Sequence, residues 1–209
     1  MRLALALALI PLAAPAGVMD FSKGWREQRL ALFSSNDFTF EARLGVVSEA
    51  TASLVWARVD PADRGATTAA WDWAVSETVP PTDLTVKGGD DRNLSVFFVF
   101  LPEAQAAGLE GDNIRDLMAY PDVRILQYTW GGLSGGGAVL PSPYLEDNGK
   151  IVALRPAATG SHSERIDLDA DYTRAFGTSR TALVGLAVSA DSDDTGGRIV
   201  GEVGPITLE

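Results

Sequence analysis

Hydrophobic and polar positions alternate in short blocks along most of the chain. Residues 38–44 place Phe38, Phe40, Ala42 and Leu44 on one side of an extended strand, since strand side chains repeat every two residues. Residues 53–59 alternate in the same way, and residues 71–75 put Trp71, Trp73 and Val75 on one face with Asp72 on the other. Residues 95–100 and 181–190 are apolar on both faces, the pattern of central strands covered on both sides. Residues 123–130 form another long candidate, residues 151–154 a shorter one, and residues 198–208 a weaker pattern interrupted by Gly and Pro. Two helical stretches interrupt the series. Residues 113–120 carry Asn113 as a cap and stop at Pro121, and residues 169–176 carry Asp169 as a cap and stop at Gly177. About eight or nine strands with one or two short helices predict a mostly β fold: an antiparallel β-sandwich, jelly-roll-like.

The first residues break this pattern. Arg2 precedes an apolar Leu/Ala run, Pro11 ends its most helical part, and Ala14-Pro15-Ala16 supplies the small residues of a signal-peptidase site. The expected organisation is a signal peptide over residues 1–16 and a single β-sandwich domain over residues 17–209, in the periplasm or secreted. A membrane anchor fits less well, because the uncharged run is short and contains two prolines. A start codon placed too far upstream is the other alternative. No later segment approaches membrane-spanning length, so no span is expected once the leader is cleaved.

Charge narrows the partners. Asp and Glu number 28 against 17 Lys and Arg, a formal net charge of −11. Such a surface repels nucleic acid and anionic lipid, so neither is an expected partner. Cysteine is absent. In an exported chain, stability must then come from core burial, and thiol nucleophiles and thiolate metal sites are excluded. The oligomeric state is left open.

Two acidic turns are the first chemical candidates. Asp191, Asp193, Thr195 and Gly196 match the first, third, fifth and sixth positions of a calcium loop, with Asp194 inside it and Glu202 at the twelfth. Asp90 and Asp91 follow Lys87-Gly88-Gly89 immediately before the strand at 95–100. Each turn can be read as a hydrated acidic loop, with Lys87 and Arg92 available to neutralise the second. Alternatively Asp90, Asp91, Asp191, Asp193 and Asp194 converge on a cation, for which calcium is the expected occupant given oxygen-only ligands. Aromatic pairs are the second candidates. Trp71 with Trp73, and Tyr128 with Trp130, share strand faces that could stack on sugar rings, although a sandwich core needs the same pattern and uses it more often. The glycine-rich run 130–137 lacks the Gly-Lys-Ser/Thr ending of a phosphate loop and reads as a loop between strands. His162, the sole histidine, sits in what reads as a polar loop with no nucleophile elbow nearby, and no catalytic role is assigned to it.

The motifs Trp71-Asp72-Trp73, Lys87-Gly88-Gly89-Asp90-Asp91, Tyr128-Thr129-Trp130, Asp171-Tyr172 with Phe176-Gly177, and Asp191-Ser192-Asp193-Asp194-Thr195-Gly196 occur in the order of an exported bacterial family. On them the chain resembles domain of unknown function 3047 from about Phe38 onward. The resemblance implies a bacterial, exported, single-domain protein and brings no reaction with it. It also implies a basic residue where Ser95 stands and an aromatic near His162, before an acidic-basic pair matched by Glu164-Arg165. The functional expectation is an exported binding module for carbohydrate or another small ligand, holding a structural cation if the acidic turns converge. The alternatives are a glycan-acting hydrolase using acidic residues and a non-catalytic envelope scaffold.

Overall fold

The computed structural model describes residues 17–30, 34–109 and 114–209. The expected leader over residues 1–16 and the expected cap Asn113 lie outside the described residues. In chain order the elements begin with β1 (Gly17–Met19), β2 (Arg26–Arg29), β3 (Asp37–Phe40), β4 (Leu44–Glu49) and β5 (Ala52–Arg58). Then come β6 (Thr68–Glu77), β7 (Arg92–Leu101), helices α1 (Glu103–Ala106) and α2 (Ile114–Met118), and β8 (Arg124–Trp130). The remainder is β9 (Ala138–Ser142), β10 (Glu146–Arg155), β11 (Gly160–Asp167), α3 (Leu168–Phe176), β12 (Ala182–Asp191), β13 (Arg198–Val203) and β14 (Ile206–Leu208). No helix among the described residues is long and apolar enough to cross a membrane.

The strands form two seven-stranded sheets. In the first, the order is β1-β14-β6-β13-β4-β3, with β11 along the remaining edge of β6. In the second, the order is β2-β5-β12-β7-β8-β10-β9. Every pair is antiparallel except β8 with β10. Eight strands carry jelly-roll connectivity: β4, β13, β6 and β11 in one layer face β5, β12, β7 and β8 in the other. The expected β-sandwich is therefore the observed fold.

The core lies between the layers. Alternate residues of β7 (Leu94, Val96, Phe98, Phe100) meet Leu126, Tyr128 and Trp130 of β8, and Trp71, Trp73 and Val75 of β6 close over them from the first sheet. The rings make tilted and edge-on contacts, with Trp71 and Trp73 centroids 5.5 Å apart, Trp73 and Trp130 5.7 Å, and Phe98 and Tyr128 5.4 Å. This corrects the expectation that Trp71, Trp73, Tyr128 and Trp130 form a sugar-stacking surface. All four are at most 4% exposed, and the face they share is the interior one. Their polar atoms turn inward too: the Tyr128 hydroxyl donates to Asp171 at 3.0 Å and the Trp73 indole N–H to Glu164 at 3.0 Å. Burial and the Asp171 carboxylate push the Tyr128 phenol far above its usual range.

Several elements depart from expectation. Residues 38–44 are a tight hairpin, β3 to β4, with Phe40 opposite Leu44. The stretch around His162 belongs to strand β11, and the His162 ring lies edge-on to Trp130 at 4.8 Å. The N-cap of α3 is Asp167, whose carboxylate accepts from the Ala170 N–H at 2.9 Å, and Asp169 is inside the helix. Gly177 ends that helix as expected, with φ +73°.

Candidate functional site

The outward side chains of the second sheet line a trough. Leu54 of β5, Ala187 and Ser189 of β12, Phe97 and Val99 of β7, and Ile125 and Gln127 of β8 form its floor. The end of β2 (Gln28, Arg29) and the β9–β10 turn (Pro143, Tyr144, Leu145) wall it. Its volume is about 510 Å³. The floor is mostly apolar because β7 and β12 are apolar on both faces. One face fills the core, and only part of the other is covered, where α1, α2 and their loops pack on Val99, Leu101 and Val184.

One end of the trough is charged. Asp90, Arg92, Asp191 and Asp193 line it. Strict alternation would send Arg92 to the core face with Leu94. The ladder shifts instead: Ser189 opposes Ser95, whereas Asp191, two residues on, opposes Arg92, three residues back. The extra residue in β7 is a β-bulge, and it re-aims Arg92 into the trough. Gly131, φ +156°, holds the far side of this bend, where a Cβ would lie 2.7 Å from Arg92 Cα. The glycine-rich run is thus a loop between strands, with one position needed for close backbone approach.

Arg92 joins the two acidic turns. One terminal nitrogen donates to Asp90 Oδ2 at 3.0 Å, to the Asp90 carbonyl at 3.1 Å, and to Asp191 Oδ2 at 2.8 Å. All three side chains are nearly buried. Burial pushes the Asp191 carboxyl up to about 7, against the downward pull of Arg92 and with further upward pressure from Asp193 and Asp91. Asp91 is fully buried and organises the second turn, accepting from the Asp194 N–H at 3.2 Å, the Thr195 N–H at 2.8 Å and the Thr195 hydroxyl. One carboxylate oxygen from each of Asp91, Asp191 and Asp193 lies within 4.8 Å of the others. Three buried polar atoms along this end have no protein partner: Asp191 Oδ1, Arg92 Nε and Ser189 Oγ.

The two acidic turns therefore converge, because β7 and β12 are neighbours and the turns sit at adjacent strand ends. Asp90 faces Arg92, and Asp194 is exposed, contributing its backbone N–H. Glu202, the twelfth position of the calcium-loop pattern, is not in the cluster. It sits on β13 and pairs with Arg43 at 3.0 Å. The resemblance implied a basic residue at Ser95, and here the guanidinium comes from Arg92. Sequence reading passed over the trough floor, and Phe97 and Gln127 with it. The signal available was that residues 95–100 are apolar on both faces while a sandwich core needs only one.

No curated protein matches the chain. Among solved structures, the chain is similar to the xyloglucanase domain of NopAA, a type three effector from Sinorhizobium fredii, in complex with cellobiose. The TM-score is 0.45 and the identity 9%, over 94% of this chain and 99% of that one. The family model DUF3047, protein of unknown function, matches residues 23–207. With nearly the whole chain covered, the protein belongs to the DUF3047 family.

Proposed function

We propose that this protein is an exported binding module whose trough takes a carbohydrate. The observation that carries the reading is the trough's composition: a mostly apolar floor with one partly exposed aromatic ring, running into a charged end lined by Asp90, Arg92, Asp191 and Asp193. Sugars fit because each ring has an apolar C–H face and an edge of hydroxyls that both donate and accept. Phe97 supplies a partly exposed ring for the face, and Gln127, Arg29 and Asp193 line the trough with polar groups for the edge. Export rests on the leader pattern over residues 1–16, and N-terminal sequencing of the exported protein should begin at Gly17. A glycan array with calorimetry on its hits tests the ligand class. Saturable binding of one glycan class, weakened at least tenfold in Phe97→Ala and Gln127→Ala, is expected. Absence of binding across the array, or binding that both variants retain, overturns the reading.

A further inference from the structure

We propose that Asp91, Asp191 and Asp193 hold a divalent cation, calcium in preference, at the charged end of the trough. The first observation is convergence: three carboxylate oxygens, from two turns 100 residues apart in the chain, lie within 4.8 Å of one another. The second is the state of Asp191. Its Oδ2 is occupied by Arg92, but its Oδ1 is buried with no hydrogen-bond donor, in a residue only 9% exposed. A carboxylate oxygen out of water without a donor is costly while ionised, and a bound cation offsets that cost.

The local charge points the same way. Asp90, Asp91, Asp191, Asp193 and Asp194 meet one guanidinium, that of Arg92, while the Lys87 ammonium lies over the Tyr144 ring at 5.2 Å. Arg92 neutralises the side of Asp191 that faces Asp90, and the cation takes the side that faces Asp193 and Asp91. All ligands are oxygen, which selects a hard cation. Magnesium keeps most of its water and uses one or two carboxylates, whereas calcium accepts several protein oxygens in flexible geometry, so three convergent carboxylates favour calcium. Asp91 is held in place by the Thr195 and Asp194 N–H groups, so one ligand is fixed before the ion arrives. Exposed Asp193 completes the set from the solvent side, leaving coordination positions for water or a ligand oxygen in the trough.

This inference is independent of the carbohydrate reading, because its probe is the metal alone. The full chain, stripped with chelator, is titrated with calcium chloride by calorimetry, and its melting is followed with calcium and with chelator. One saturable site per chain and a Tm raised by calcium are expected. Asp193→Asn, at an exposed position, should fold as the wild type in chelator and lose the calcium response. Asp194→Asn, outside the ligand set, should keep it. A wild type with no saturable heat and the same Tm in both conditions overturns the proposal, as does undiminished calcium binding in both Asp193→Asn and Asp193→Ser.

Discussion

Arg92 is the residue on which the two acidic turns depend. Its guanidinium is buried between Asp90 and Asp191, and removing one partner of such a set leaves the others charged and out of water. In chelator, with no cation on Asp191, Arg92→Gln should cost about 3–5 kcal/mol in denaturant unfolding at neutral pH. That loss should shrink on acidification. The Asp191 carboxyl is held up near 7 in the fold against an ordinary 3.8. The folded state therefore binds a proton more readily than the unfolded chain. Its stabilising contribution is fully present below the ordinary carboxylate pKa and is lost as pH rises through about 7. Without Arg92 the carboxyl protonates more readily still, so the variant recovers further at low pH. A stability gap that stays constant from acid to neutral pH would show that Arg92 does not neutralise Asp191. The approach of the two turns was legible in the sequence, because each adjoins a strand apolar on both faces and such strands sit side by side. The aim of Arg92 was not. Period-two reading assigns it to the core, and only the register against β12 reveals the inserted residue.

Strands with a full apolar face announced themselves: β5, β6, β7, β8 and β12 each lie where alternation or a doubly apolar run put them. Edge and polar strands did not. β2 reads Arg-Glu-Gln-Arg, and β11 reads Gly-Ser-His-Ser-Glu-Arg-Ile-Asp, with a single residue, Ile166, in the core. Their membership in the sheets is fixed by the neighbour's backbone, which composition does not record. The same limit shifted the start of α3 by two residues. Asp167 and Asp169 are both good caps by type, and the choice is made by β11, which runs to Asp167 and delivers it extended, with φ −101°. Asp167→Ala should therefore destabilise the protein by about 0.5–2 kcal/mol in thermal or denaturant melts. Asp169→Ala removes a half-exposed carboxylate from the nearly buried Arg180, which keeps its bonds to the Arg64, Thr181 and Gly65 carbonyls, and should cost about 1 kcal/mol or less. Equal costs would mean that the cap does not hold the helix start.

The sandwich closes on one aromatic cluster that draws on both sheets. Phe98, fully buried between Trp71 and Tyr128, should cost about 3–5 kcal/mol when truncated to alanine, and an unchanged melting curve would contradict its place in the core. That closure also sets an order of assembly. β12 is the strand that separates β5 from β7, and β13 is the strand that separates β4 from β6, so the middle of each sheet is supplied by residues 182–203. Leu44 must wait for Val203, and Ala52 for Asp191, before either layer is continuous. Loops of that length close slowly, and the earlier strands have no complete sheet to join in the meantime. A growing chain of this topology can complete neither sheet until residues 182–203 have been made. The trough, floored by β5, β12, β7 and β8, can form only once β12 has docked between β5 and β7.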